Sequence, residues 1–394
     1  MNDTTADVIV VGLGAVGSAV TYQLALGGAR VIGIDRFAPP HSFGSSHGST
    51  RITRLAIGEG DAYVPLVRRS NDIWRSLEAE SGEILYQRTG GLVMGPRDGR
   101  VRHHGKTDFV RRTIDAAVHH GISHEVLDAD EVARRFPAFL VRGDELAYYE
   151  RDAGVLFPEA CVRTQLEAAT RCGARIHVDE QVLGVESSGQ GARVRTSDGT
   201  YGAAAVVVAA GAWLPQLLGG VYEARLRVLR QVLFWFETRE PALYAPGALP
   251  VFIWMHGTGD EDYMYGFPKI DGFDGVKVAS EQYGTTTDPA AVERSVPLSE
   301  SQAMFERNVK GRLRSMTPNL VHASVCLYTV SPDSGFIVDR LAEHDGIWVV
   351  SACSGHGFKH SSAIGEAIAK QVLGFPGNDL SVFSSRRFSE RPMV

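Results

Sequence analysis

Residues 8–11 are a β-branched run that ends in Gly12-Leu13-Gly14-Ala15-Val16-Gly17, after which a helical pattern continues to Leu24 and stops at Gly27-Gly28. The segment reads as a strand, a tight turn and a helix. Each glycine has its own duty: Gly12 permits the turn, Gly14 lets a pyrophosphate approach the backbone, and Gly17 lets helix and strand pack closely. The free N–H groups of the first helical turn receive the phosphate charge. A second strand over residues 30–34 ends at Asp35, 18 residues past Gly17 and where a carboxylate for ribose hydroxyls belongs. An adenosine diphosphate moiety is therefore the expected ligand, and NAD and FAD both remain open because they share that half.

The chain has 394 residues, 44% hydrophobic and 22% charged, enough for a large core and for two domains. Its 40 Lys+Arg against 46 Asp+Glu leave a net charge of −6, so no overall positive field draws in nucleic acid or an anionic membrane. The first seven residues carry Asp3 and Asp7 but no Lys or Arg, unlike a secretory signal. The longest apolar runs, such as 203–214, are shorter than the ~18 residues of a membrane span. A cytoplasmic protein is expected. Cys161, Cys172, Cys326 and Cys353 form no CxxC pair and suit neither a disulfide framework nor a zinc knuckle. No group of His, Cys, Asp or Glu has metal-ligand spacing, so no metal is expected.

Strand patterns recur late in the chain, at 175–178 and 181–185 and as a hairpin of 192–200 with 201–210 across Ser197-Asp198-Gly199. A buried strand at 346–351 opens into Ser354-Gly355-His356-Gly357-Phe358-Lys359 and an apolar helix at 362–373. Between these, 232–236, 251–255, 263–267 and 276–280 suggest an antiparallel sheet of different style. The fold class is α/β: a Rossmann-like dinucleotide domain with an inserted, mostly antiparallel substrate domain. The first is assigned to 1–85, 150–225 and 320–394, the second to 86–149 and 226–319.

Eight segments, in order along nearly the whole chain, carry a resemblance. They are Pro39-Pro40-His41, Gly48-Ser49-Thr50-Arg51-Ile52-Thr53-Arg54, Gly58-Glu59-Gly60, Tyr63-Val64-Pro65-Leu66, Gly154-Val155-Leu156, Tyr265-Gly266-Phe267-Pro268, Cys326-Leu327-Tyr328-Thr329 and Ser354 to Lys359. Together they resemble the monomeric sarcosine oxidase and N-methyltryptophan oxidase family of flavoenzymes. The resemblance implies an FAD-binding domain with a substrate domain, a covalent flavin–cysteine link, and oxidation of secondary amino acids with reduction of O2 to hydrogen peroxide. It also implies roles. Cys326 is the flavin-linking thiol, with Cys353 as runner-up and a buried inert thiol as the plain alternative. Arg54 and Lys359 hold the substrate carboxylate, the arginine by its planar fork and the lysine by a point charge. Thr50 and Arg51 lie by the flavin ring, where a cation stabilises the charge of the reduced form. Lys277 activates oxygen, and Tyr265 lines the pocket. Arg36, Ser45, Gly355, His356 and Gly357 join Gly12, Gly14, Gly17 and Asp35 in cofactor contact.

Glu281 departs from the family pattern, which usually has histidine there. It either pairs with a cationic or hydroxyl-bearing group on the substrate or faces solvent. Two further readings stay open: a flavin-dependent amino acid dehydrogenase of the same fold passing electrons to a non-oxygen acceptor, and a non-catalytic nucleotide-binding sensor. The partners expected are an amino acid substrate and O2, with the chain a monomer or small homo-oligomer.

Overall fold

A computed structural model describes residues 4–189, 191–259, 261–270, 272–341 and 346–388. The β-branched run becomes the strand Thr5–Val11, flanked by parallel neighbours Val31–Ile34 and Thr200–Val208. Arg175–His177 extends one side, and Ile347–Ser351 runs parallel to the end of Thr200–Val208. The hairpin strands Gly191–Thr196 and Val182–Ser188 complete this side of an eight-stranded sheet, and Ile337–Arg340 pairs with Ile347–Ser351.

Alternation of side chains decides which residues cover which face. Val8 and Val10 point, with Val207, Trp348 and Val350, into a core shared with the helices Ala15–Leu26, Pro158–Arg171 and Ser361–Val372. Ile9 and Val11 point the other way, with Val206, Val208 and Val349, against Val194, Leu214 and Tyr222. Both faces are covered, which is why these strands read as continuous apolar runs. Their carboxyl ends, at Gly12, Asp35, Ala209 and Ala352, gather along one edge, where open α/β sheets hold ligands.

The second eight-stranded sheet runs in the order Met316–Val330, Arg227–Thr238, Val276–Ala279, Tyr263–Gly266, Val251–Met255, Gly91–Pro96, Glu145–Glu150 and Glu125–Asp128. Its pairs are antiparallel except Val251–Met255 with Gly91–Pro96, which are parallel. Phe234, Phe236, Val276, Val278, Phe252 and Trp254 pack on one face. The alternate residues Leu233, Lys277, Ile253, Tyr265 and Cys326 therefore occupy the other. Met316–Val330 pairs with Arg227–Thr238 nearly end to end, with Cys326 opposite Gln231. The boundary expected at residue 320 thus falls inside a strand, and the second sheet extends to Val330.

Candidate active site

A cavity with about 1900 Å³ of empty space, its open mouth included, runs from the glycine turn to the second sheet. At its outer end, Gly12 has φ +85°, and a Cβ there would lie 2.6 Å from Ala209 O. A Cβ at Gly17 would lie 1.7 Å from Gly12 O, so only glycine lets the helix sit this close to the turn. Helix Ala15–Leu26 has no side-chain cap of its own and no acidic residue in its first turn. Ser46 Oγ accepts the Ala15 N–H at 3.1 Å. Asp35 accepts the Leu13 N–H at 2.7 Å and the Phe37 N–H at 3.0 Å, and still has acceptor capacity for ribose hydroxyls. Arg36 lies over the Trp213 ring at 4.9 Å, and the buried Trp213 Nε1 lacks a partner. The open helix terminus, the spare carboxylate capacity and the orphaned indole N–H fit an adenine dinucleotide.

Further in, the carboxylate of Glu159 accepts the N–H groups of Gly48 at 2.7 Å and Ser49 at 3.0 Å, shaping the loop before the strand Arg51–Thr53. Arg51 donates to Thr50 O at 2.8 Å and Ser45 O at 2.7 Å. Ser45, Thr50, Arg51, Tyr265, Cys326, Gly355, His356 and Gly357 all line the cavity. Burial pushes the Cys326 thiol up, while the nearby charges of Arg51 and Lys277 pull it toward the thiolate. Cys353 also lines the wall, where its Sγ accepts the Thr329 N–H at 3.5 Å. Cys161 is buried in helix Pro158–Arg171, and Cys172 is exposed at its end.

Lys277 does not line the cavity. Its ammonium reaches the loop from behind, donating to Gly48 O at 2.5 Å, Thr50 O at 3.0 Å and Thr50 Oγ1 at 2.9 Å, with the Phe267 ring 4.6 Å away.

At the innermost end, Glu150 accepts the Leu55 N–H at 2.9 Å and the Ala56 N–H at 3.2 Å, while the Tyr148 hydroxyl donates to it at 2.7 Å. This fixes the chain just past Arg54, which is buried in the wall. Arg54 Nη1 donates to Ala56 O, and Nη2 donates to the two Glu59 oxygens at 3.0 and 3.3 Å. Its Nε is buried without a partner. Lys359, in the turn after Gly357, donates to His356 O at 2.8 Å. Burial lowers Lys359 to about 8, with Arg54 acting in the same direction and Glu59 against both. His356 donates from Nε2 to Ser334 O at 3.0 Å, and burial holds its imidazole neutral, near 3.

Glu281 is buried, which overturns the solvent-facing alternative. Its oxygens accept from His104 Nε2 at 3.0 Å and from the Tyr283 hydroxyl at 2.8 Å. His104 Nδ1 meets Glu59 at 3.3 Å. Burial works against a charge on His104, but Glu281 and Glu59 outweigh it and hold the ring up at about 9. Burial alone raises Glu281, yet the His104 charge and hydrogen bond bring it to about 2. Glu59 is likewise held well below the carboxylate range, by Arg54 and then His104 against its burial. Glu59, His103 and His104 each place a donor atom within 4.8 Å of the others, a grouping that metal-ligand spacing in the sequence did not announce. His104 and Glu59 already spend theirs on one another, on Glu281 and on Arg54. His103 and His104 escaped sequence reasoning because adjacent histidines far from any motif carry no signal of their own.

The dinucleotide crevice is continuous with a chamber holding a buried arginine, a buried lysine and a thiol, the layout of a dinucleotide-dependent oxidoreductase. The chain belongs to the FAD dependent oxidoreductase family, which it matches over residues 7–371. It is 37% identical over 392 residues to a monomeric sarcosine oxidase of Streptomyces avermitilis, covering 98% of this chain and 99% of that one. It is 34% identical over 386 residues to an N-methyl-L-tryptophan oxidase of Yersinia pestis, covering 97% and 99%. Among solved structures, NikD, an unusual amino acid oxidase essential for nikkomycin biosynthesis, superposes with a TM-score of 0.81 at 22% identity, covering 96% of this chain and 97% of that one. L-proline dehydrogenase from P. horikoshii gives a TM-score of 0.78 at 19% identity, covering 98% of each chain, and both structures share the fold. Among the described residues, no helix is long and apolar enough to cross a membrane.

Proposed function

We propose that this enzyme oxidises small secondary, N-methyl amino acids such as sarcosine or N-methyltryptophan to an imine, which hydrolyses to an amino acid and an aldehyde while O2 is reduced to hydrogen peroxide. One observation carries the reading: Arg54 and Lys359, both buried, share a cavity wall with Cys326 and the loop at Thr50 and Arg51. Buried cations without full compensation are costly, and a substrate carboxylate supplies what they lack. The free Arg54 Nε is a ready donor to it.

Bound FAD supplies the acceptor for a hydride equivalent from the C–H beside nitrogen and the route for two electrons to oxygen. Gly12, Gly14, Asp35 and Arg36 would hold its adenosine diphosphate half, with Gly17 setting the helix close behind the turn. Arg51 and Thr50 would face the ring, and Cys326, its thiolate favoured by Arg51 and Lys277, would attach it covalently. Arg54 and Lys359 fix the substrate by its carboxylate, which restricts how its reacting carbon is presented. Hydride transfer from the neutral form of the amine requires no dedicated base. Tyr265 and Tyr328 shape the wall.

Lys277, with its charge applied through Thr50, is the group proposed to assist oxygen. Its place behind the wall is the observation that keeps a second reading in view, a dehydrogenase that passes electrons to another acceptor. A cytoplasmic location and a monomeric or small homo-oligomeric state accompany the proposal, and light scattering on the purified protein checks the latter.

The test is an anaerobic screen in which sarcosine, N-methyltryptophan, other N-methyl amino acids, pipecolate and proline are mixed with the yellow holoenzyme. Bleaching by at least one secondary amino acid is expected, with Arg54→Gln raising the concentration required. Flavin that no amine bleaches would leave a nucleotide-binding sensor as the better description.

A further inference from the structure

His104 and Gly105 form the corner of a two-residue hairpin between Arg102–His103 and Lys106–Thr107. Both have positive φ, +47° and +71°. Asparagine or glycine is the usual occupant of such a corner, and a histidine there accepts local strain. The ring is placed so that Nδ1 meets Glu59 and Nε2 meets Glu281. A neutral imidazole has one donor nitrogen only, so it would turn a lone pair on one of these carboxylates. An imidazolium satisfies both.

Every element packed around the ring contributes a group. The His103 ring lies against it, tilted by 35° with centroids 3.8 Å apart, and is kept neutral by burial and by the His104 charge. Tyr263 stacks on His103 at 4.5 Å, and Tyr283 bonds the far oxygen of Glu281. The neutral His356 ring lies 5.0 Å away, with Lys359 beyond it, and Arg54 sits behind Glu59. The charged members are thus Arg54, Lys359 and His104 against Glu59 and Glu281. A substrate carboxylate brings three negative charges to meet three positive ones. Without a proton on His104, Glu59, Glu281 and the substrate carboxylate would face only Arg54 and Lys359 at this end of the cavity, Arg51 being engaged at the loop by Thr50 O and Ser45 O.

We propose that His104, bridging Glu59 and Glu281, is a positioning residue of the carboxylate clamp: it carries the third positive charge and lets Arg54 serve the substrate as well as Glu59. This rests on the clamp reading above. Glu281 is then the residue that keeps His104 charged rather than a direct partner of the substrate.

The test uses holoenzyme and propionate, a carboxylate without nitrogen, followed by the flavin absorbance change from pH 6 to 10, with propionamide as the uncharged control. Wild type should bind propionate steadily up to about pH 8 and more weakly above, as Lys359, at about 8, and His104, at about 9, lose their protons. His104→Asn suits the hairpin corner, so the fold is retained. It should weaken propionate about tenfold or more at pH 7 and converge on wild type near pH 10. Glu281→Gln should move the falling limb to lower pH, because His104 loses one of its two carboxylates. His104→Asn binding as tightly as wild type at pH 7, or more weakly by one factor at every pH, would overturn the proposal while leaving the clamp intact. Wild type that binds propionate no better than propionamide would overturn the clamp itself and this inference with it.

Discussion

Two glycines of the first turn separate close packing from cofactor binding, and alanine at each should give opposite results. At Gly17 an added Cβ would lie 1.7 Å from Gly12 O, a rigid backbone atom. Ordinary contact needs roughly 1.7 Å more, so the helix Ala15–Leu26 must move away from the strand that the turn ends. Overpacking of this kind costs about 3 kcal/mol or more. In a scanning calorimeter the flavin-free protein should melt roughly 4 °C lower or further. At Gly14 the backbone is already ordinary, with φ −70°, and the nearest atom to a Cβ is the rotatable Ser46 Oγ at 3.3 Å. Gly14→Ala should leave the flavin-free melting point unchanged or raise it slightly through the unfolded chain, by about 0.5 kcal/mol. Its Cβ nevertheless occupies the path of the pyrophosphate, so FAD binding should fall about tenfold or more. Protein from riboflavin-limited cells, melted and then titrated with FAD, measures both. Equal melting points for wild type and Gly17→Ala would refute the packing argument, and undiminished FAD affinity in Gly14→Ala would refute the placement of the phosphates.

Cys326→Ser should release all yellow colour from acid-denatured protein, whereas Cys353→Ser should leave it attached; the reverse result would move the linkage to Cys353. Lys277→Met should slow reoxidation by O2 while leaving anaerobic bleaching by the amine nearly intact, and equal loss with oxygen and with an artificial acceptor would favour the dehydrogenase reading. His256, away from the chamber, accepts a hydrogen bond at Nε2 once the Asn308 amide is turned to donate at 2.9 Å, and burial lowers it to about 4. Its unfolded value is higher, so the unfolded chain takes up the proton first and stability falls as pH drops below about 6.5. The loss from this residue between pH 7.5 and 5 is about 2 kcal/mol. Urea midpoints of wild type and His256→Gln across that range should differ in slope, and parallel curves would contradict the neutral assignment.

Much of the site was legible because its parts are local. The run Gly12 to Gly17 with Asp35, the loop Thr50 to Arg54 and the turn Gly355 to Lys359 each lie within one stretch of chain, and all meet in one cavity. For Lys277 alternation gives the strand and its face, and only the structure shows the loop at Gly48 and Thr50 that its ammonium meets there. The strands Gly91–Pro96 and Glu145–Glu150 went unread because their pairing partners are distant or run in an unexpected direction.

The sequence by itself determined where the chain turns tightly, which strands are covered on both faces, and which family the molecule belongs to. These follow from glycine spacing, from side-chain alternation and from residues adjacent along the chain. Only the tertiary structure decided the charge state of the chamber. Glu59, His104 and Glu281 are separated by 45 and 177 positions, and their protonation depends on burial and on mutual distances that come into existence when the hairpin corner at His104 packs against both carboxylates.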